Sequence, residues 1–315
     1  MLVLGIQGSP RKKGNTSFLL SRFMQAAESL GAQTRIVEVA QKNIVPCKEY
    51  VVCEKKGFCP IDDDIKTEIY PLIRQAEVVL LATPIFFFNM TAQLKAVVDR
   101  CQLFWARKYR FNLADPAKKT KCGFLLSVGA SKGKSLFEGL QLSAKYFFDA
   151  IDARYAGSLT YRNIEGLKDM ANHPTVNEDV EKAAAALLQP LLGRKKLLFA
   201  CRENACRSQM ASAFAQYLAG DKIEADSAGT MPAEQVDPFM EEVMGEKGID
   251  MAFRKPTSIE DPGRLGPPDL IITMGCGEVC PLFPGVPSQA WDLPDARASA
   301  FTIALPRPCI QPPYV

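Results

Sequence analysis

Short continuous apolar runs alternate along this chain with longer segments whose apolar residues recur at helical spacing. The runs suit buried strands, and the spaced segments carry one apolar face, as a helix packed on a sheet requires. The pattern predicts strands at 2–7 (LVLGIQ), 33–39, 77–84, 121–129 and 154–161. Between them it predicts helices at 16–31, 64–76, 90–104 and 135–151, with a final one over 177–192. Strands alternating with helices build a parallel sheet covered on both faces.

The segment PLLGRKK (190–196) interrupts this rhythm, and a second one starts. Strands are predicted at 196–201 (KLLFAC), 222–229, 268–275 and 289–293, with helices at 208–220 and 237–248. The expected fold class is therefore α/β, with two doubly wound parallel-sheet domains. The boundary is placed near Leu192–Lys195, giving units 1–192 and 193–315. The halves share no more than the α/β rhythm, so no internal repeat is inferred.

Composition narrows the function. A length of 315 residues suits two domains, and a hydrophobic content of 47% is enough for two cores. The net charge is +3 and the basic residues are scattered, so no nucleic-acid partner is expected. The apolar run 78–88 is too short to span a bilayer and contains Pro84. The first fifteen residues read as a strand entering a polar loop rather than a signal peptide. A soluble, cytoplasmic enzyme is expected. In a reducing cytosol the ten cysteines point to redox or cluster chemistry rather than to disulfides.

The stretch LLFACRENACRSQMASAFA (197–215) places Cys201 at the carboxyl end of a strand and Arg207 and Ser208 at the start of a helix. Ligands of open parallel sheets bind beyond the carboxyl ends of the strands. A helix amino end offers N–H groups to an anion and favours the thiolate of a nearby cysteine. Arg207 suits two oxygens of a tetrahedral oxyanion at once. Ser208 is placed to donate its hydroxyl to the sulfur, and Asn204 to fix the loop. Such a site needs no histidine base, which fits a chain with a single histidine. A lone C-x5-R would read instead as a buried cysteine beside a structural arginine.

CRENACRS resembles the catalytic loop of the low-molecular-weight phosphotyrosine phosphatases and of the arsenate reductases that share their fold. The resemblance covers about 195–297 and includes ADSAGT (225–230), EVMGEKGID (242–250), DLIITMGCGEVCP (269–281) and WDLPDA (291–296). It implies a doubly wound domain in which Cys201 attacks the oxyanion, Arg207 and the loop amides stabilise charge, and Asp295 acts as general acid. The phosphatases follow that aspartate with proline and aromatic residues. Here Ala296 and Arg297 follow Asp295, which favours the arsenate reductases. Their reaction also needs a second thiol, from Cys276 or Cys280 or from thioredoxin or a small thiol. The short CGEVC spacing is closer to members that use an external thiol. Cys206 takes a lesser role. The tail FTIALPRPCIQPPYV is too rich in proline for the closing helix of that family. A phosphatase acting on phosphate esters, or an inactive binding module, are the alternative readings of this half.

In the first half GSPRKKGNTS (8–17) joins strand to helix. Ser9, Asn15, Thr16 and Ser17 supply donors at a helix start and Arg11 adds charge, which suits a terminal phosphate monoester. The loop is not G-x-G-x-x-G, and GASKGKS (129–135) is one residue short of a nucleotide P-loop. The stretch resembles the flavodoxin-like NAD(P)H-dependent FMN reductases and the related iron–sulfur flavoproteins, over about 1–185, with TPIFFFNMTAQLKAVVDR (83–100) and DDDI (62–65) strengthening the match. The resemblance implies FMN as cofactor, NAD(P)H as electron donor and a homo-oligomer through the flavin domain. It assigns Pro84, Ile85, Phe86, Phe87 and Asn89 to the isoalloxazine, and Gly129 with its neighbours to a further wall. One or two of the phenylalanines are expected in the core. In CKEYVVCEKKGFCP (47–60) Cys47, Cys53 and Cys59 remain, while Tyr50 stands where a fourth cysteine is expected, which argues against a [4Fe-4S] cluster. No other metal site is expected. Cys101 and Cys122 are read as core residues.

Overall fold

The computed structural model describes residues 1–261, 266–275, 283–291 and 293. The first half forms a sheet of β1 (Leu2–Gln7), β2 (Gln33–Glu38), β3 (Val78–Pro84), β4 (Cys122–Val128) and β5 (Arg154–Tyr161), in the order β2-β1-β3-β4-β5. Every pairing is parallel. The central strands β3 and β4 are apolar and buried along almost their whole length, because helices cover both faces. On one face lie α1 (Asn15–Ser29) and α7 (Val176–Leu188). On the other lie α3 (Tyr70–Gln75), α4 (Ala92–Arg100), α5 (Gln102–Tyr109) and α6 (Glu138–Ala150), with the short α2 (Val52–Lys56) against α5.

The second half restarts at β6 (Lys195–Cys201) and adds β7 (Ile223–Gly229), β8 (Leu270–Thr273) and β9 (Ser288–Ala290), parallel in the order β7-β6-β8-β9. Among the described residues its helices are α8 (Arg207–Ala219) and α9 (Pro238–Glu246). Among the described residues no helix is long and apolar enough to cross a membrane.

Several elements differ from the sequence pattern for physical reasons. The helix expected over 64–76 opens with a wide π turn at Ile65–Ile69, whose start is held by the Asp63 carboxylate accepting from the Ile65 N–H at 3.1 Å. Pro71 then falls in the first turn of α3, where a missing N–H costs nothing. The helix expected over 90–104 breaks at Cys101, which closes α4 and opens α5. Thr91 caps α4 by accepting the Leu94 N–H. The helix expected over 135–151 starts at Glu138, after a turn.

The halves meet through buried charge. Asp250 is held by Arg74 and, through both carboxylate oxygens, by Arg107 (2.8–3.0 Å). Burial alone would raise the Asp250 carboxyl, but the fields of Arg74 and Arg107 outweigh it and hold it below its ordinary value. Asp115, beside Lys121 and Arg74, is likewise buried yet held down at about 2 by those cations. Arg194 forms a two-pronged pair with Glu77 (2.7 and 2.8 Å) and donates to the Gly220 carbonyl at 2.8 Å. Breaking one such buried pair costs about 3–5 kcal/mol, because a charge is left without its partner.

Candidate functional site

Cys201 ends β6 at 4% exposure, among Phe199, Ile272 and Met274. Its sulfur lies 3.0 Å from the Ser208 hydroxyl. Asn204 Nδ2 donates to that same hydroxyl oxygen at 2.8 Å. With Asn204 held on one lone pair of its oxygen, Ser208 has its own proton free to donate to the sulfur when Cys201 is a thiolate. Asn204 is itself fixed, since its Oδ1 accepts from the Thr257 N–H at 2.8 Å and from Gln209 Nε2 at 3.1 Å. It is fully buried and left-handed, with φ of 49°, a conformation asparagine tolerates better than most residues.

The loop's carbonyls point outward. Those of Cys201, Arg202, Glu203 and Ala205 accept N–H groups from Thr230, Met231, Ala233 and Asp237 at 2.8–3.3 Å. Because N–H and C=O lie on opposite edges of a trans peptide, the donors are left on the inner edge. Gly229 lets β7 approach this loop, since a Cβ there would sit 2.7 Å from the Arg202 carbonyl oxygen. Arg207 opens α8, and its guanidinium lies against Gly275. The loop therefore collects inward donors, a guanidinium and a serine aimed at a sulfur, the elements of oxyanion chemistry at a thiol. Asp295, Cys276 and Cys280 lie outside the described residues. Cys206 is half-buried, with its sulfur 3.8 Å from that of Met210. Thr257 and Gln209 were not foreseen, because a buried polar residue on a helix face or in a loop leaves no periodic signal.

The loop between β1 and α1 is built differently. Gly14 stands at the N-cap of α1 and offers no side-chain cap to its first-turn N–H groups, the groups that a helix start presents to an anion. Ser9 Oγ accepts the Arg11 N–H at 3.2 Å, and Ser17 Oγ donates to the Arg11 carbonyl at 3.1 Å. Thr16 is 2% exposed and Arg11 is open to solvent. Asn15 also makes contacts outside the loop. Its Nδ2 donates to the Gly166 carbonyl and its Oδ1 accepts the Met170 N–H, so it ties a neighbouring turn to α1.

After Pro84 and Ile85 the chain makes a tight hairpin. Phe86 and Asn89 exchange both backbone hydrogen bonds (2.8 and 3.0 Å), leaving Phe87 and Phe88 as the turn. Both have positive φ, 47° and 60°, where Asn-Gly is the usual pair. Phe86, Phe87 and Phe88 are 49%, 102% and 55% exposed, so none is a core residue, against the expectation for one or two of them. A two-residue turn at the sheet's edge has no apolar layer to receive them. Asn89 fixes the hairpin to α6 by donating to Ser143 Oγ at 3.1 Å. Gly129 closes the same rim, its N–H donating to the Tyr161 carbonyl at 2.9 Å.

The cysteine loop has a clamped neck. Arg100 and Asp63 are fully buried together, Arg100 donates to the Val45 carbonyl at 2.8 Å, and Asp63 accepts the Val45 N–H at 3.0 Å. Cys47 is exposed, and Cys53 and Cys59 are half-buried. Burial, then the nearby Cys59, push the Cys53 thiol up. Among the described residues no three His, Cys, Asp or Glu side chains are gathered as a metal requires. Cys101 and Cys122 are buried in the core, and burial pushes Cys122 up to about 11.

Fold and sites together define a flavodoxin-like flavin reductase unit followed by a low-molecular-weight phosphatase-like thiol unit. The chain belongs to the family described as NADPH-dependent FMN reductase, whose profile matches residues 1–161. The profile of the low molecular weight phosphotyrosine protein phosphatases matches 196–283. An iron-sulfur flavoprotein of Methanosarcina thermophila is 30% identical over 59% of this chain and 95% of its own. Two further archaeal iron-sulfur flavoproteins match over 64% and 63% of their own lengths. An arsenate reductase of Bacillus licheniformis is 36% identical over 33% of this chain and 76% of its own. The solved structure of a thioredoxin-dependent arsenate reductase from Corynebacterium glutamicum is 34% identical, covers 38% of this chain and 64% of its own, and superposes with a TM-score of 0.30.

Proposed function

We propose that residues 1–192 form an NAD(P)H-dependent FMN oxidoreductase unit and that residues 193–315 form a thiol-dependent arsenate reductase unit. The observation that carries the second assignment is the sulfur of Cys201 with Ser208 aimed at it by Asn204, beside Arg207. In the proposed reaction the Cys201 sulfur attacks arsenic(V) and a sulfur–arsenic bond forms. One oxygen leaves as water, protonated by Asp295. A second thiol then attacks the Cys201 sulfur. The new disulfide takes the place of the sulfur–arsenic bond, whose electron pair leaves with arsenic as arsenite. Thiols are oxidised by two electrons and arsenic is reduced by two. The second thiol comes from Cys276, Cys280, thioredoxin or a small thiol.

The first half would hold FMN with its phosphate at 8–17 and its ring system at the Phe86–Phe87 hairpin and Gly129. Bound FMN would supply two-electron transfer from NAD(P)H. Fusion keeps that electron source at high effective concentration near the thiol unit, where it would return the disulfide to two thiols. A homo-oligomer through the flavin unit and a cytoplasmic location fit this reading. The absence of an aromatic residue after Asp295 favours arsenate over an aryl phosphate.

The test has two arms. The purified protein should be yellow and lose its flavin absorbance with NADPH. With a dithiol present it should convert arsenate to arsenite faster than it hydrolyses p-nitrophenyl phosphate. A colourless protein that takes up no FMN refutes the first assignment, and the reverse substrate preference refutes the second in favour of a phosphatase.

A further inference from the structure

Residues 249–257 touch both halves of the molecule. One end is docked in the first half. Ala114 and Ile249 form a parallel bridge, the Asp250 N–H donates to the Ala114 carbonyl at 2.8 Å, and the Asp250 carboxylate is held by Arg74 and Arg107. The Phe253 ring lies 5.3 Å from that of Tyr70 and 5.8 Å from that of Phe104, two buried members of the first half's core. The other end holds the nucleophile loop. The Lys255 carbonyl accepts Gln209 Nε2 at 3.1 Å, Arg254 donates to Gln209 Oε1 at 3.2 Å, and the Thr257 N–H donates to Asn204 Oδ1. From Asn204 the contacts run through Ser208 to the Cys201 sulfur.

Between the two ends Phe253 has a φ of 68°. This region costs an L-residue with a bulky side chain about 1–2 kcal/mol, and it persists where the surroundings over-determine it. Here the docked ring supplies that constraint.

We propose that Phe253 is a positioning residue for Cys201. Its ring, seated against Tyr70 and Phe104 of the first half, sets the path of 254–257, which orients Asn204 and through it the Ser208 hydroxyl on the sulfur. The flavin-type half is then a scaffold for the thiol half, and the reactivity of Cys201 depends on their docking. This rests on the reading of Cys201 as a nucleophile and is independent of which oxyanion it attacks.

The experiment measures alkylation of Cys201 by iodoacetamide in the intact chain, followed by peptide mass spectrometry. The buried Cys101 and Cys122 serve as sentinels, and molecules modified there are counted as unfolded. Phe253→Ala should slow alkylation of Cys201 by about tenfold, the scale of one hydrogen bond to a charged group. Phe253→Gly accepts the positive φ but lacks the ring, so it should fold more readily and still be slow. Phe253→Tyr keeps the ring and should stay within about twofold of the parent. An unchanged or faster rate in Phe253→Gly, with both sentinels protected, overturns the proposal. No arsenate or phosphate ester enters the assay, so a failure of the arsenate reading does not register in it.

Discussion

The loops 8–14 and 201–206 occupy the same place in their sheets, each leaving a strand flanked on both sides and entering the helix that follows. They use that place in opposite ways. At the first, α1 starts with no side-chain cap and Arg11 faces solvent, where it can meet a ligand. At the second, Asn204, Ser208, Gln209 and Thr257 bond to one another and are buried or half-buried. A cradle for a phosphate group must leave its donors open until the ligand comes. A site that supports charge on its own sulfur must aim its donors inward beforehand, because reorganising them during reaction would cost rate. On the proposed reading, one strand–loop–helix geometry serves binding in one half and chemistry in the other.

The comparison breaks most sharply at the sulfur. Cys201→Ser should lower turnover of arsenate or of an aryl phosphate by at least about a thousandfold, since a hydroxyl without a base is a poor nucleophile. Arg207→Lys should cost about a hundredfold, because an ammonium cannot match the planar fork on two oxygens. Steady-state kinetics of both variants, with FMN content unchanged, check that the loss is confined to the second loop.

The buried charges between the halves come next. Asp250→Asn should destabilise the chain by about 3–5 kcal/mol, read by chemical denaturation, because Arg74 and Arg107 lose their shared carboxylate. The pH dependence follows from the direction of the shifts. Asp250 and Asp115 are held below their unfolded values, so their contribution is present above the ordinary carboxylate range near pH 4 and is lost as the pH falls through their lowered values, about 2 for Asp115. Melting temperatures of the parent should drop across that window, and those of Asp250→Asn should drop less.

Smaller effects sharpen the first loop. Thr16→Glu should weaken FMN binding by at least about tenfold, by placing a carboxylate against the phosphate, while Cys201 chemistry stays intact; flavin fluorescence titration reads this. The double change Phe87→Asn with Phe88→Gly should raise the melting temperature of the flavin-free protein slightly, by relieving about 1 kcal/mol of turn strain, and should weaken FMN binding by removing the exposed ring. A loss of stability instead would mean that the two rings support the fold.

The sheets were legible because their strands are continuous apolar runs such as VVLLATP, and the nucleophile loop because Cys201, Arg207 and Ser208 fall at a strand-to-helix junction. What escaped the sequence is held by contacts between distant segments. Nothing in the local pattern marks the break at Cys101, which carries neither glycine nor proline. The bond from Asn15 to the Gly166 carbonyl joins positions far apart along the chain. The Phe87–Phe88 turn lies in the connection between strand and helix but carries none of the usual turn residues, and its positive φ values accompany the Phe86–Asn89 pairing. Asp250 and Phe253 are second-half residues embedded in the first half, which no pattern within either half could show.

The most direct measurement of the central claim, that the two halves act as one enzyme, is arsenite production with NADPH as the sole reductant. The account predicts about one arsenite per NADPH in the FMN-loaded intact chain, since each reaction moves two electrons, and none in Cys201→Ser. Oxidation of NADPH with no arsenite formed, both in the protein alone and with a catalytic amount of thioredoxin or a small dithiol added, would contradict it.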